Sequence, residues 1–119
     1  MATAPTSNPL LTTLKETMVA IVRSDTTDFS ARQLAVFLKI YLEPSVEHTV
    51  RGLAADLKVS KPAITRALDR LEEAKFAKRE KDPKDARSVI VKRLPGGTAY
   101  LRTLGGYLTA ASKVAAKAG

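Results

Sequence analysis

Forty-five residues, Thr49 to Arg93, limit the choice of fold more than any other part of this chain. They read TVRGLAADLKVSKPAITRALDRLEEAKFAKREKDPKDARSVIVKR. Val50, Leu53, Ala54 and Leu57 recur at helical spacing, and Thr49 can cap the helix they imply. Lys58-Val59 leaves room only for a tight turn before Ser60 caps a second helix, with Ile64, Ala67, Leu68 and Leu71 facing inward. After Ala74 the period changes to that of extended chain. Phe76–Lys81 and Ser88–Arg93 read as two strands, and Asp82-Pro83-Lys84-Asp85 closes a hairpin whose first two residues suit a type I turn. Every residue from Lys78 to Lys84 except Pro83 is charged, so the hairpin projects into solvent. Two short helices followed by a basic hairpin form a helix–turn–helix with a wing, an order that sets one helix in a major groove and a strand loop beside it.

The helices around this tract supply its scaffold. Asn8-Pro9 opens a first helix, and Leu11, Leu14, Met18 and Ile21 make one apolar stripe that ends near Arg23. Residues 24–28 read as a polar loop. Ser30 and Gln33 form a capping box for a second helix, flanked by Phe29 and Leu34 as a hydrophobic staple. Leu34, Phe37, Leu38 and Tyr41 are its expected core face, and Pro44 stops it. Pro95 to Ala118 is helical in composition but carries Gly96-Gly97, expected at the helix start, and Gly105-Gly106. The second pair either breaks the helix or lets another backbone come close, each glycine costing about 1 kcal/mol relative to alanine.

The expected fold class is therefore mainly α with a small β-hairpin wing: a winged helix–turn–helix whose terminal helices form a dimer surface. At 119 residues one domain is expected, residues 9–119, after a flexible tail over residues 1–8. Its docking part spans 49–93 and its dimerisation helices span about 9–23 and 96–117. Leu11, Leu14, Met18 and Ile21 can pack with Tyr100, Leu104, Tyr107, Ala111 and Val114. One small domain has little room to bury both stripes, which favours a homodimer.

Charge follows the same division. Residues 1–57 carry five Lys/Arg against six Asp/Glu; residues 58–93 carry twelve against six; residues 94–119 carry three and no acid. The positive field thus centres on the second tract helix and the wing, as attraction to phosphate requires. The chain has no cysteine, which excludes disulfides, thiolate metal sites and thiol switches. Its longest apolar runs, Met18–Val22 and Leu34–Leu38, are far too short to cross a bilayer. The N-terminal MATAPTSNP does not read as a signal peptide, so a cytoplasmic, nucleoid-associated location is expected. His48, the one histidine, reads as a lone surface residue beside Glu47. No phosphate loop, metal-ligand set or nucleophile elbow is present. No enzymatic activity, cofactor or metal is expected.

Segment SKPAITRALDRLEEAKFAKREKDPKDARSVIVKRLPGG resembles the MarR family of winged helix–turn–helix transcription regulators. The likeness lies in the recognition helix, the D-x-R wing signature (Asp85 and Arg87) and the glycine-containing turn before the last helix. With Thr49–Val59 it spans Thr49 to Gly97. Lys75 stands where a glycine commonly ends the recognition helix, and Ala86 where a second basic wing residue is often found. The resemblance implies a DNA-binding regulator, with repression relieved by a small ligand as the family pattern. It also implies that Asp85 orders the wing loop while Arg87 enters or skirts the minor groove, where a narrow A·T-rich groove attracts a guanidinium. A local Asp85–Arg87 pair that stiffens the hairpin is the other use of these two residues.

The residue chemistry gives the candidate DNA contacts. Thr49 and the start of the recognition helix, Ser60, Lys61 and Pro62, suit close approach to phosphate and base edges. Thr65 can meet a base edge or a thymine methyl, and Arg66 is the candidate for bidentate reading of guanine. Arg70 either reaches phosphate or a flanking base, or pairs with Asp69, Glu72 or Glu73 along the helix. Lys84, with Lys78, Arg79 and Lys81, is a candidate phosphate contact. A homodimer makes the target double-stranded and near-palindromic, with half-sites about one helical turn apart. Two other uses of the same fold stay open: a protein-interaction module contacting polymerase or another regulator, and a weakly specific nucleoid-type DNA binder.

Overall fold

The structure, a computed structural model, describes residues 8–24 and 28–118. Its elements are α1 (Pro9–Arg23), α2 (Ala31–Leu42), α3 (Val50–Leu57), α4 (Lys61–Glu73), β1 (Ala77–Asp82), β2 (Asp85–Arg93) and α5 (Pro95–Ala118). The expected tail over residues 1–8 lies outside the described residues except for Asn8, as does the expected loop at residues 25–27. The chain forms two compact units. One is Phe29–Tyr100; the other joins the residues before Phe29 to those after Tyr100.

Local capping sets the helix starts in both. Asn8 Oδ1 accepts the N–H groups of Leu10 (2.9 Å) and Leu11 (3.3 Å). Ser30 and Gln33 exchange both capping-box hydrogen bonds, at 2.9 and 3.1 Å. Thr49 Oγ1 accepts from Gly52, and Ser60 Oγ from Ala63. The ends of α3 and α4 are equally defined. Val59 N–H returns to Ala54 and Lys58 N–H to Ala55, just as Phe76 returns to Leu71 and Lys75 to Glu72. This double closure needs a left-handed residue, and here both are lysines, Lys58 at φ 56° and Lys75 at φ 63°.

Within the Phe29–Tyr100 unit, Val36, Phe37, Ile40, Leu53, Ile64, Leu68 and Leu71 are fully buried. On α2 the buried face is thus Val36, Phe37, Ile40 and Tyr41, while the expected Leu34 and Leu38 lie half-buried at its margin. An aromatic cluster closes one side: Phe76 stacks on Tyr100 at 4.8 Å, and Phe29 and Phe37 lie 5.7 and 5.3 Å from the same tyrosine ring. Tyr100, expected on the dimer surface, is therefore a core residue of this unit, because its ring is worth more among three phenylalanines than on a surface. The Tyr41 hydroxyl accepts the Leu94 N–H at 3.0 Å and lies 2.7 Å from the Phe76 carbonyl, to which it can donate. A Cβ at Gly97 would overlap both that hydroxyl and that carbonyl, so only glycine fits there. His48 is likewise buried, not exposed as its neighbours suggested. Its Nε2 donates to the Glu43 carbonyl at 2.9 Å, and its own carbonyl accepts from Val91 at 2.8 Å. With the Thr49–Ile90 bridge, this gives β2 a minimal third strand on one edge.

In the other unit, α1 buries Thr17 and Ile21 but leaves Leu10, Leu11, Leu14, Met18 and Val22 exposed. Ile21, Leu104 and Ala111, also expected on the partner-facing surface, are instead buried within the chain, while Tyr107 is half-buried. The two buried residues of α1, Thr17 and Ile21, lie one turn apart, with Thr17 Oγ1 donating back to Thr13 O at 2.7 Å. Helix α5 runs unbroken through Gly105-Gly106, and a Cβ at either glycine would meet nothing within 4 Å. The pair therefore neither breaks the helix nor receives another segment of the described chain.

Candidate nucleic-acid interface

Helix α4 is held from beneath by Ala63, Ile64, Ala67, Leu68 and Leu71, all buried. That face fixes which residues point away: Ser60, Lys61, Pro62, Thr65 and Arg66 are exposed. Among the described residues Arg66 has no ion-pair partner. It borders a groove with Ser30, Arg32 and Gln33 at the start of α2. Thr65 and Arg66 are thus presented together, and their donors stay available.

Two other arginines of the same surface are already engaged. Arg70 pairs with Glu73 at 3.3 Å and lies 5.3 Å from the centre of the Phe29 ring. This is the pairing alternative for Arg70, joined by a cation–π contact. Arg79, on β1, donates through Nε to Glu72 and through Nη2 to Asp69, each at 2.6 Å. Burial acts to lower its pKa, but hydrogen bonds to both carboxylates more than offset this and raise it. Arg79 was a candidate phosphate contact; it is instead a strut that joins the wing to the outward edge of α4. No local spacing reveals it, since its partners lie seven and ten residues away. Lys78 is similarly tied to Glu80 at 3.0 Å, a contact that lowers the Glu80 pKa.

The wing is longer than expected on its second strand. Ladder pairs run from Ala77–Arg93 to Lys81–Val89, and then the register shifts so that Asp82 faces Asp85. Ala86, Arg87 and Ser88 are thereby left without ladder partners opposite, a bulge that bends and twists the tip. Asp82 Oδ1 accepts the Lys84 N–H and Asp85 Oδ1 accepts the Arg87 N–H, at 2.9 and 3.1 Å. Asp85 therefore orders the loop. The Arg87 side chain is 91% exposed, and its local pair with Asp85 is present as a long contact, Nε 4.0 Å from the carboxylate. Thr49 and Ser60 spend an oxygen lone pair on helix capping, and Thr49 is half-buried.

One residue of this surface was not picked out from the sequence. Arg51, exposed on the first turn of α3, borders a small groove with Val50, Lys61, Arg87, Ser88 and Val89. A signal existed: no acid lies three or four residues after it.

Helices α3 and α4 with the β1–β2 hairpin define a winged helix–turn–helix. The MarR family model matches residues 29–89, about half the chain, and the protein belongs to the MarR family of transcription regulators. Solved structures agree. A single-site mutant of MarR from E. coli is 25% identical, with a TM-score of 0.67 over 92% of this chain and 80% of that one. The same mutant complexed with operator DNA is 27% identical, with a TM-score of 0.63 over 88% and 67%. A MarR regulator from Methanosarcina mazei Go1 shares the fold at 20% identity and TM-score 0.60, over 72% of this chain; the match spans only 60% of that longer protein. No curated protein matches the chain in sequence. Among the described residues no helix is long and apolar enough to cross a membrane.

Proposed function

We propose that this protein is a sequence-specific, double-stranded DNA-binding transcription regulator that acts as a homodimeric repressor. Helix α4 reads the major groove through Thr65 and Arg66, and the wing reaches the minor groove or its backbone through Arg87. Lys61 and Lys84 add phosphate contacts. The observation that carries this reading is selective engagement: Arg70 and Arg79 are held by carboxylates at 2.6–3.3 Å, whereas Arg66 on the same surface has no ion-pair partner among the described residues and the exposed Arg87 has only a 4.0 Å contact to Asp85. A surface basic only by composition has no reason to sort its arginines in this way. The E. coli relative complexed with operator DNA supports the DNA-binding part of this reading.

Dimerisation rests on the exposed apolar face of α1, and its two-fold symmetry makes the operator near-palindromic. The test is binding to selected and random duplexes across a salt series. Arg66→Ala is expected to relax preference at one base pair, worth about 1–3 kcal/mol, while Lys84→Ala weakens all sequences alike and flattens the salt dependence. Equal affinity for every duplex would leave only a nucleoid-type binder. Absence of binding at low salt would leave a protein-interaction module.

A further inference from the structure

We infer that Arg51, Lys61 and Arg87 form a seat for a single backbone phosphate, placed where helix and wing straddle one DNA strand. The inference rests on the DNA-binding reading and assigns it a specific anchoring point.

Three elements build the seat. Arg51 comes from the first turn of α3, Lys61 from the first residue of α4, and Arg87 from the bulged tip of β2. All three are exposed, and all three border one groove of about 110 Å³. The remaining lining is Val50, Ser88 and Val89, with no carboxylate. Three other cations of this face are matched to acids: Arg79 to Asp69 and Glu72, Arg70 to Glu73, Lys78 to Glu80. Among the described residues Arg51 and Lys61 make no ion pair, and the one acid near Arg87 stands 4.0 Å away. Three converging cations repel one another unless an anion sits among them. The space is several times the roughly 30 Å³ share of one water, enough for a tetrahedral oxyanion.

Geometry identifies which anion. A helix in the major groove and a wing in the neighbouring minor groove must have a phosphodiester strand between them. The groove lies between α4 and the wing, so it faces that strand. Val50 and Val89 suit the sugar edge beside the phosphate, and Ser88 adds a hydroxyl. Arg87 then grips the strand at the rim of the minor groove, and its reach toward base edges is limited by that grip.

The experiment compares wild type, Arg51→Lys and Arg51→Ala on a selected operator and on a random duplex between 50 and 200 mM salt. One phosphate contact contributes a slope of about −0.9 in log affinity against log salt. Arg51→Ala is expected to weaken both duplexes, with its deficit shrinking about 3-fold across that range, while Arg51→Lys keeps most of the slope. A scan of single neutral methylphosphonates along the operator should show one position where wild type loses affinity and Arg51→Ala loses no more. Unchanged affinity and slope in Arg51→Ala, or additive losses at every scanned position, overturns the seat but leaves DNA binding intact. Saturable binding of inorganic phosphate without DNA, with duplex slopes equal in all three proteins, assigns the groove to a free anion and also overturns it. Failure of wild type to bind any duplex removes the DNA reading itself, a result distinct from the others.

Discussion

The Phe29–Tyr100 unit hides most of its large apolar side chains, Leu42 and Val46 excepted, and helix α1 of the terminal unit displays most of its own. In the first, Phe37, Ile40, Leu53, Ile64, Leu68 and Leu71 are at most 1% exposed; in the second, Leu10, Leu14 and Val22 are 77, 55 and 66% exposed. Each exposed leucine forgoes about 1.5–3 kcal/mol that burial would contribute. A monomeric surface rarely carries so continuous an apolar strip. Thus one unit satisfies most of its hydrophobic pattern within a single chain, and the other meets its own only when something covers α1. The proposed reading surface belongs to the first, whose buried core would hold Thr65, Arg66 and Arg87 in register. A second copy on the other would double the reader.

The contrast can be broken first where the expected effect is largest. Replacing Leu14→Glu together with Met18→Glu puts two charges into the exposed strip without touching a buried residue. Helix content measured by circular dichroism should persist, sedimentation should show a monomer, and operator affinity should drop about 10²–10⁴-fold as two linked half-site contacts become one. An unchanged sedimentation coefficient would mean that this face is not the interface.

Glycines sharpen the contrast next, because equal substitutions should have opposite signs in the two units. Gly97→Ala forces a methyl into the Tyr41 hydroxyl and the Phe76 carbonyl, and such overpacking costs about 1–3 kcal/mol. Gly105→Ala adds a methyl where the described chain leaves open space, so the better helix former should stabilise by about 1 kcal/mol. Urea unfolding of both variants measures the difference. A destabilised Gly105→Ala protein, with the loss growing at higher protein concentration, would place the partner's backbone against that glycine.

What could be read from the residues alone follows the distance over which each interaction acts. Caps at Asn8, Ser30, Thr49 and Ser60 involve partners within three residues, and all four were legible. So were the four inward residues of α4, since a 3.6-residue period lies within one segment. The Asp85 loop contact was legible only through resemblance to a family signature. Three features were not legible: the Arg79 strut, the burial of Tyr100 and the burial of His48. Each is decided by a partner on another element: Arg79 by carboxylates on α4, Tyr100 by phenylalanines at positions 29, 37 and 76, and His48 by the Glu43 carbonyl and Val91. The α1 stripe shows the converse error. Its period was right, but periodicity does not say whether an apolar face meets its own chain or another, and most of this one meets neither within the described chain. The three-residue bulge behind Arg87 was invisible for a similar reason, because register is set by pairing rather than by the composition of one strand.

The smallest effect concerns a residue held against its own preference inside the well-filled unit. Lys75 closes α4 at φ 63°, a left-handed conformation that costs a residue with a Cβ about 1–2 kcal/mol and glycine almost nothing. Lys75→Gly removes that cost while keeping the Phe76–Leu71 and Lys75–Glu72 backbone closures. Against it stand the larger conformational freedom of glycine in the unfolded chain, about 0.4–1 kcal/mol, and the loss of a cation at a helix C-terminus, about 0.3 kcal/mol on an exposed turn. The balance is a gain of about 0.5 kcal/mol, read as a higher urea midpoint at unchanged slope. Since Lys75 lies at the end of α4 away from Ser60–Arg66, base preference should stay as in wild type. A lower midpoint would mean that the lysine side chain contributes more than its backbone costs, and would make Lys75 part of the basic surface rather than a strained end to the helix.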